Sequence, residues 1–585
     1  MEMFSSKFLI AVFLFITLFV NEGNAKNYQL FSRGKSTYCI IVSKDATESE
    51  LYAARELQTY LSKIGSIVIP IKYCGEGLKG KRIIVGYNSD VKRLLPEVTK
   101  PMPDDEAFFY KNSDGDIVIL GGCERGTMYG VFAFLENEFG IRWYTETSTV
   151  VPQRRSYSFS CLQFSDAPAI SVRNMMYSEI RDKEFRVHNR LNGRIRTAPY
   201  KPWFQQGGGY TSLEGHTLSF IMPVDEYFKS HPEYFALRNG KRNGEKTQPC
   251  FSNPDVLRVC TNNLLKIMRE RPEFNSYAVS AFDNSENCEC VKCKAAISRM
   301  GSYTDLVLDF VNKIAKSVES EFPDKKLQYS AYRSTRQPPL SVKPRHNVSV
   351  SISTIEPCHV HGFEHCNSED AKQITKELME WRKISNEIDI WDYACDFSAF
   401  NIPFPNFYAL QANLKFYQKL GIKNIVFEGN HYTYNGEFQA LRIYLLARLL
   451  WNPDCDIDAV VDDFLQGYFG SSAPYIRQYF DLIHSRVMTN THLTVYTSYR
   501  DKFYDDILIQ DALKIFKKAK LVADNAEILR RVELEELSVC LLSTLRNPKK
   551  AISDGTYIQT KRVIEKENID LRKENLKKIW DQINR

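Results

Sequence analysis

The sequence predicts an α/β protein in three parts: a small N-terminal α/β sandwich domain, a central (β/α)8 TIM barrel and a C-terminal α-helical domain. Short apolar segments alternate with amphipathic helical segments up to about residue 436, which is typical of parallel sheets, and strand-like segments then stop. The chain has 585 residues, which is too long for one ordinary core. We therefore predict a leader at 1–25, the sandwich at 26–165, the barrel at 166–455 and the helical domain at 456–585.

The N-terminal part contains strand-like and helix-like segments in alternation. The segments "YCIIVS", "KRIIVG" and "GDIVILGG" are rich in β-branched residues and indicate strands. The segment "ATESELYAARELQTYLSKIG" places Leu51, Ala54, Leu57 and Leu61 at helical spacing and ends at Gly65, a helix stop signal. A second helix follows in "ERGTMYGVFAFLENEFGI". This order predicts a small sandwich of helices on a sheet.

The central part repeats the strand–helix unit. The predicted strands are "AISVRNMMYS", "TLSFIM", "SYAVSAF", "KLQYSAY", "VSVSIST", "IDIWDYA" and "KNIVFEG", with helices such as "TDLVLDFVNKIAKSVESEF" between several of them. Seven or eight such units favour a (β/α)8 barrel over an open doubly wound sheet. No glycine-rich phosphate fingerprint follows any strand, which argues against a nucleotide-binding fold.

Charge and the N-terminal segment limit the partners. A formal net charge of +6 and the lack of a long basic run predict no nucleic-acid partner. Lys7 precedes a short apolar stretch from Leu9 to Val20 and then "GNA", which is the pattern of a cleavable secretory signal and is too short to span a bilayer. The alternative is a short membrane anchor. We expect an exported protein, periplasmic or secreted, without a membrane span; no cysteine follows the expected cleavage point to carry a lipid, which does not favour a cell-surface location.

Polar and aromatic residues follow the predicted barrel strands, where reactive groups of such barrels lie. These candidates are His216, Asp283, Glu286, Arg333, Glu356, Trp391, Asp392, Tyr393 and Glu428. Several carboxylates beside Trp and Tyr at one barrel face are what glycosidic bond cleavage requires, since one carboxylic acid must protonate the leaving oxygen. Each residue alone is more often a solvated loop acid or a capping group, and the coincidence of several at strand ends brings the functional and the structural interpretations to near equality.

Two carboxylates in "SAFDNSENCECVKCK" form the main catalytic hypothesis. Asp283 and Glu286 are three residues apart after a strand, so both could point into one mouth, and neighbouring carboxylates push their pKa values apart. The alternative is a polar turn. Glu428 is the second catalytic candidate. In "IWDYACDF", Trp391 is expected to stack on a sugar ring and Tyr393 to face elsewhere; the alternative is that Trp391 belongs to the core.

The cysteines in the same stretch predict a structural clamp. Cys288, Cys290 and Cys293 are too close for all to pair among themselves, and Cys250 in "QPCFSNP" is the natural fourth member. Four thiols would complete a structural zinc site; the alternative is a disulfide from Cys250 to the cluster. No histidine or carboxylate set accompanies them at metal spacing, so we expect no cofactor for catalysis.

Several stretches resemble glycoside hydrolase family 163. They are "ATESELYAARELQTYLSKIG", "GTMYGVFAFLENEFGIRWY", "HPEYFALRNGKR", "CFSNPDV", "CECVKCKA" and "GEFQALRIYLLARLLWNPDCD". The resemblance covers nearly the whole chain after the leader. It implies a TIM-barrel endo-β-N-acetylglucosaminidase of the Bacteroidetes type that cleaves the chitobiose core of N-glycans on glycoproteins. It also implies retaining hydrolysis with the substrate's acetamido group as nucleophile, for which Asp283 would be the polariser and Glu286 the acid/base.

Two alternatives remain open at the level of sequence. The first is another hydrolase on the same scaffold, either an exo-hexosaminidase or an α-glucuronidase in which Arg333 would hold a uronate. The second is a non-catalytic glycan-binding protein that uses the aromatic residues without a working acid.

Overall fold

The computed structural model describes residues 26–76, 80–193 and 212–571, together with residues 580, 581 and 583. The predicted signal peptide, residues 1–25, lies outside these described residues. Within the described ranges, no helix combines the length and the apolar character that crossing a membrane would require.

The N-terminal part is an α/β sandwich, as predicted. Its strands are β1 (Tyr28–Ser32), β2 (Cys39–Val42), β3 (Ile71–Tyr73), β4 (Arg82–Val85), β5 (Phe108–Ser113), β6 (Asp116–Gly121), β7 (Arg142–Thr145), β8 (Ser148–Val150), β9 (Ser156–Phe159) and β10 (Gln163–Asp166), and its helices are α1 (Glu48–Gly65), α2 (Ser89–Leu94) and α3 (Gly126–Phe139). Six strands form one sheet in the order β10-β5-β6-β4-β2-β3. A capping box between Thr47 and Glu50 starts α1, and the helix ends where Ser66 turns left-handed at φ 52°. The predicted periodicity of this helix is therefore confirmed, with Leu57 and Leu61 in the core.

The central sheet contains seven parallel strands in the described residues. They are β11 (Val172–Met176), β12 (Ser212–Leu213), β15 (Ser276–Val279), β16 (Lys326–Ala331), β17 (Val348–Ser353), β18 (Ile388–Tyr393) and β19 (Asn424–Glu428), in the order β11-β19-β18-β17-β16-β15-β12. The sheet curls into a half-barrel, and a small hairpin of β13 (Leu237–Arg238) and β14 (Lys241–Arg242) precedes β15. The predicted strand "TLSFIM" is wrong: Leu218–Ile221 is a short helix, because a short apolar run fits a buried helix as well as a strand.

The two faces of this sheet differ in polarity. Most residues on the outer face are apolar and belong to the main core, among them Tyr277, Leu327, Val350 and Ile390. On β15, β16 and β17 and at the beginning of β18, the residues on the inner face are small or polar: Ser276, Ala278, Gln328, Ser330, Ser349, Ser351, Ser353 and Asp389. TIM barrels usually fill this interior with bulky branched side chains. The polar interior leaves space and hydrogen-bonding groups beneath the C-terminal edge of the strands.

Helices surround the sheet and continue beyond it. Those between the strands are α4 (Lys183–His188), α5 (Leu218–Ile221), α6 (Val224–Tyr227), α7 (Pro254–Glu270), α8 (Val291–Met300), α9 (Tyr303–Glu319), α10 (Glu369–Ile384) and α11 (Phe407–Lys419). Those after the last strand are α12 (Gln439–Trp451), α13 (Ile457–Phe469), α14 (Ala473–Ser485), α15 (Asp506–Val522), α16 (Ala526–Arg546), α17 (Pro548–Ser553) and α18 (Thr556–Lys566). The C-terminal helices share one hydrophobic core with the barrel.

A buried ionic network joins the N-terminal sandwich to the first barrel strand. Arg173 on β11 is fully buried, donates from Nε to the carbonyl of Arg190 at 2.8 Å, and places Nη2 2.6 Å from Oε2 of Glu106. Its guanidinium also lies 5.0 Å from the centre of the Trp451 ring. Burial raises the pKa of Glu106, but the charges of Arg173 and Arg125 outweigh that effect and leave the pKa below its usual value. Glu106 is thus a buried, paired anion between the two parts.

Candidate active site

A cleft opens at the C-terminal edge of the barrel strands. It has a volume of about 410 Å³ and is lined by residues that end, or closely follow, β12, β15, β16, β17, β18 and β19. The predicted site residues that line it are His216, Asp283, Arg333, Trp391, Tyr393 and Glu428. This is the edge at which catalytic groups of such barrels are found.

One wall of the cleft, which we call the charged flank, consists of His216, Asp283, Tyr332 and Arg333. The Tyr332 hydroxyl donates to Asp283 Oδ1 at 3.1 Å, and Arg333 Nη2 lies 3.4 Å from the same oxygen. His216 Nε2 lies 3.9 Å from it, while His216 Nδ1 is 2.9 Å from the Ala281 carbonyl and must carry a proton to donate there. Burial raises the pKa of Tyr332 to about 12, so its hydroxyl remains a donor.

The backbone at Arg333 has a strained conformation. Arg333 follows β16 and has φ 50°, in the left-handed region that a side chain with a Cβ occupies at a cost of about 1–2 kcal/mol. Its guanidinium lies over the Tyr332 ring at 5.1 Å from the ring centre. Such strain is often kept where a side chain must be aimed at a functional site.

Gln248 holds the loop that carries Asp283. Its Nε2 donates to the carbonyls of Phe282 and Asn284, both at 2.8 Å, and its Oε1 accepts from Phe282 N at 3.1 Å. These bonds fix the backbone of Phe282 and Asn284, the two neighbours of Asp283 in the chain. Gln248 is buried and also lines the cleft, so the position of Asp283 is set by a side chain 35 residues earlier in the chain.

A second part of the lining, which we call the aromatic flank, consists of Trp391, Tyr393, Phe397, Phe400, Tyr432 and Tyr496. The rings touch in sequence: Tyr393 and Phe397 centres are 5.7 Å apart, Phe397 and Tyr496 6.3 Å, and Phe400 and Tyr432 6.2 Å. Tyr432 and Tyr496 remain 48% and 57% exposed. Exposed aromatic rings at the rim of a cleft suit the flat apolar faces of sugars.

Trp391 and Tyr393 both face the cleft, which corrects the prediction that only one of them would. Residues i and i+2 of a strand share a face, and Asp392 between them points the other way. Asp392 is fully buried against the helices, where it accepts from Thr354 Oγ1 at 2.6 Å and from Tyr417 OH at 2.8 Å. The prediction that Asp392 binds substrate is therefore wrong in this structure.

Glu428 ends β19 on the aromatic side of the cleft. Trp391 Nε1 donates to its Oε2 at 2.7 Å, and its register partner on β18 is Tyr393. Tyr393 is buried, which raises its pKa well above the ordinary tyrosine value, and its hydroxyl lies 2.9 Å from Ser353 Oγ. The cleft therefore brings together two carboxylates, Asp283 and Glu428, in unlike surroundings.

Glu286 and Glu356 do not line the cleft. Glu286 accepts from Arg238 Nε at 3.2 Å, and Arg238 also pairs with Glu289. Glu356 pairs with the Arg336 guanidinium. Sequence spacing alone could not reveal this, since Arg238 lies 48 residues before Glu286.

A carboxyl group lies one layer below the aromatic flank. Asp389 is on the same strand face as Trp391 and Tyr393, and its Oδ2 accepts from Gln328 Nε2 at 2.6 Å and from Ser349 Oγ at 3.1 Å. Burial raises the pKa of Asp389 to about 7. Asp389 does not line the cleft itself, but it holds Gln328, which does.

The four predicted cysteines converge directly behind the charged flank. The sulfur atoms of Cys250, Cys288, Cys290 and Cys293 all lie within 4.8 Å of one another, and Cys250 Sγ is 3.7 Å from each of the other three. A tetrahedral zinc with Zn–S bonds of about 2.3 Å would place sulfur atoms about 3.8 Å apart. Leu237 N and Cys293 N donate to Cys288 and Cys290 sulfurs, as amides around metal thiolates do. This donor set fits structural zinc; no cysteine among the described residues is in a disulfide.

Several lining residues were not predicted. Tyr332 is the neighbour of the predicted Arg333, and Gln328 and Ser330 lie on the polar inner face of a predicted strand, so a period-of-two reading could have found them. Tyr496 comes from the segment between α14 and α15, far from any strand, and the sequence around it gives no signal.

The fold and the site thus define an α/β barrel protein with an acidic, aromatic-lined cleft. A family model described as "Domain of unknown function (DUF4838)" matches residues 143–481, more than half of the chain, and the chain belongs to this family. No curated protein sequence matches the chain significantly.

One solved structure shares the fold, and two others are similar to a lesser degree. A family GH115 4-O-methyl-α-glucuronidase with specificity for decorated arabinogalactans matches with a TM-score of 0.60 and 11% identity, covering 94% of this chain and 78% of that chain. A chitobiase from Flavobacterium johnsoniae matches with a TM-score of 0.46 and 13% identity, covering 93% and 94%. A β-N-acetylhexosaminidase from Bacteroides fragilis NCTC 9343 has a TM-score of 0.43 and 13% identity, covering 74% and 89%. At 11% identity, the similarity to the GH115 enzyme concerns the fold alone.

Proposed function

We propose that this protein is a glycoside hydrolase whose active site is the cleft between the charged and aromatic flanks. The observation that carries the proposal is the presence of two carboxylates, Asp283 and Glu428, in one cleft at the C-terminal edge of the barrel strands, beside exposed aromatic rings. Glycosidic bond cleavage needs a proton donor and a second group that stabilises the cation-like sugar, and aromatic rings bind sugar faces.

The finer proposal is an endo-β-N-acetylglucosaminidase that cleaves the chitobiose core of N-glycans. Its support is the motif resemblance to glycoside hydrolase family 163. A uronate substrate is less well supported. Arg333 lines the cleft and could pair with a uronate carboxylate, but its Nη2 already lies 3.4 Å from Asp283 Oδ1. A neutral acetamido sugar needs no such cation.

We assign the polarising role to Asp283 and the acid/base role to Glu428. Asp283 would hold the acetamido nitrogen while the acetamido oxygen attacks C1, and Glu428 would give its proton to the leaving oxygen as the glycosidic bond breaks. Water then attacks C1 of the oxazolinium-type intermediate as the bond from C1 to the acetamido oxygen breaks, and it loses a proton to Glu428, which restores the acid. The two successive inversions at C1 retain the configuration. Glu286, the acid suggested by sequence spacing, lies beside Arg238 outside the lining.

The proposal includes export and a structural zinc ion. Cleavage of the leader would place the enzyme where glycoproteins are accessible, and N-terminal sequencing of the mature protein tests this. Zinc at Cys250, Cys288, Cys290 and Cys293 would hold the segment after Asp283 without taking part in the reaction.

The deciding experiment is mass spectrometry of a glycoprotein incubated with the full chain. Released glycans that end in one N-acetylglucosamine, with the other left on the protein, are expected. Release of free uronic acid from acidic glycans would support the glucuronidase alternative instead. Unchanged glycans with saturable binding would overturn the enzymatic proposal in favour of a glycan-binding protein. Defined N-glycans of different branching then establish the accepted class.

A further inference from the structure

A second cluster of metal-ligating side chains lies behind the aromatic flank. It consists of Cys358, His361 and Cys366, in the loop between β17 and α10, and His492, in the segment between α14 and α15. The ligand atoms of these four residues all lie within 4.8 Å of one another. Both cysteines are buried, and His492 closes the cluster from the exposed side.

The separations match a tetrahedral ion. Cys358 Sγ is 3.5 Å from His361 Nδ1, Cys366 Sγ is 3.9 Å from the same atom, and Cys366 Sγ is 3.7 Å from His492 Nδ1. Zn–S bonds of about 2.3 Å and Zn–N bonds of about 2.0–2.1 Å at tetrahedral angles require S···N separations of about 3.6 Å. The planes of the His361 and His492 rings are inclined to each other by 68°, so both rings can direct Nδ1 at one point without stacking.

We propose that Cys358, His361, Cys366 and His492 bind a second structural zinc ion. Two thiolates and two neutral imidazoles balance the charge of Zn²⁺, and two thiol protons leave on binding. A set of two sulfur and two nitrogen donors in tetrahedral geometry favours zinc over calcium, magnesium or manganese, which prefer oxygen. Ser368 Oγ, 3.3 Å from Cys366 Sγ, supplies an outer hydrogen bond to a ligand.

The ion would fix a wall of the cleft. The two ligand segments already meet through His359 N, which donates to the Leu493 carbonyl at 2.8 Å. Two residues after Leu493, the Val495 carbonyl accepts from Phe397 N at 2.7 Å, and the next residue, Tyr496, lines the cleft. A metal bridge from Cys366 to His492 would therefore hold Tyr496 in the aromatic flank.

Metal analysis of the purified full chain and of single variants tests the proposal. We expect about two zinc ions per chain if both clusters are filled. Cys358→Ser and His492→Ala should each remove one ion, and Cys290→Ser should remove the other. His365→Ala is the matched control, because His365 is exposed beside Cys366 but outside the cluster. His492 is on the surface, so its variant should fold even if Cys358→Ser does not.

A conservative change and a spectroscopic measurement separate zinc from its alternatives. His492→Cys should keep the ion, because cysteine is also a zinc ligand, and after cobalt substitution should strengthen the thiolate-to-cobalt absorption. Equal zinc content in the His492→Ala and His365→Ala variants would overturn the proposal. So would peptide mapping without reductant that finds a Cys358–Cys366 disulfide. If Cys290→Ser has no effect while His492→Ala removes the only ion, the second site stands and the first fails.

Discussion

The two flanks of the cleft are built in different ways. The charged flank comes from loops after β12, β15 and β16, and Gln248 and the four-cysteine cluster hold its central loop from behind. The aromatic flank combines residues after β18 and β19 with Tyr496 from the helical region. A carboxylate lies at each flank: Asp283 belongs to the charged flank and accepts from Tyr332, whereas Glu428 lies beside the aromatic flank and accepts from Trp391. Carboxylates in unlike environments can take different roles in one reaction, and this difference is the basis on which we propose Asp283 as the stabilising group and Glu428 as the proton donor.

The largest expected effects concern these two carboxylates. Asp283→Asn and Glu428→Gln should each slow hydrolysis of natural glycan by about 10²–10⁴-fold. With a substrate whose leaving group needs no protonation, Glu428→Gln should recover most of its kcat/KM, which reports the bond-breaking step, whereas Asp283→Asn should not. Steady-state kinetics on both substrates check this. Glu286→Gln is the control and should stay near the wild-type rate; leaving-group-dependent loss in that variant would return the acid role to Glu286.

Gln248→Ala should give the next largest effect, because it frees the backbone carbonyls of Phe282 and Asn284, the two neighbours of Asp283. We expect kcat to fall about tenfold, equivalent to about 1.4 kcal/mol, with KM little changed. A general folding defect would lower the activity by the same factor in the wild type and in the Asp283→Asn background. The decisive measurement is therefore a double-mutant cycle of the two substitutions. In the Asp283→Asn background, Gln248→Ala should cost little further activity; a full additional loss would show that Gln248 does not act through Asp283.

Trp391 tests the aromatic flank. Trp391→Ala should raise KM by roughly tenfold, more than it lowers kcat, since an aromatic contact is worth about 0.5–1.5 kcal/mol. Trp391→Phe should instead lower kcat with KM nearly kept, because the ring remains while the donor to Glu428 Oε2 is lost. Michaelis kinetics of the two variants separate the roles. A Trp391→Ala protein that is merely unstable, with normal KM in its folded fraction, would place Trp391 in the core.

Cys290→Ser should alter stability with little change in activity. Loss of one ligand weakens the clamp behind the charged flank, so we expect about one zinc ion fewer per chain and a lower thermal midpoint. The folded fraction should keep its specific activity. Cys161→Ser is the control, because Cys161 is exposed and outside both clusters. Absence of both a metal and a disulfide at these four cysteines in the wild type would refute the clamp.

The smallest expected effect on activity belongs to Asp389. Its folded-state pKa of about 7 is raised by burial above the ordinary value near 4, so its contribution to stability is present below about pH 4 and is lost as the pH rises through about 7. Asp389→Asn should flatten this part of the pH–stability curve and stabilise the protein at pH 8 by about 1–2 kcal/mol. Denaturant unfolding at pH 5 and pH 8 measures it; an unchanged pH dependence would contradict the assignment.

Local patterns were sufficient to predict much of the fold. The spacing of Leu57 and Leu61 gave α1, and β-branched runs gave most barrel strands, because these signals depend only on neighbouring residues. The run "TLSFIM" failed because length and composition do not distinguish a buried strand from a buried helix turn.

The candidate site was predictable only where strand ends determined it. Asp283, Arg333 and Glu428 were found from their places after strands. The sequence could not distinguish Glu286 from these cleft residues, because its ion-pair partner outside the cleft, Arg238, is distant in sequence. The second cysteine–histidine cluster was not found either: His492 lies 126 residues from Cys366, and only the packing of the helical region on the barrel brings them together.

Because Arg173 is buried in the first barrel strand, the stability of the barrel depends on the N-terminal sandwich. Its guanidinium is neutralised by Glu106, which belongs to the sandwich, and stacks on Trp451, whose Nε1 donates to Asp166 at 2.8 Å. A barrel cut free at residue 166 would begin with an uncompensated cation inside its first strand, a defect that typically costs about 3–5 kcal/mol. The barrel and the sandwich should therefore be inherited, expressed and lost as a unit. A sandwich from a relative should replace this one only if the hybrid protein keeps both Glu106 and Arg173.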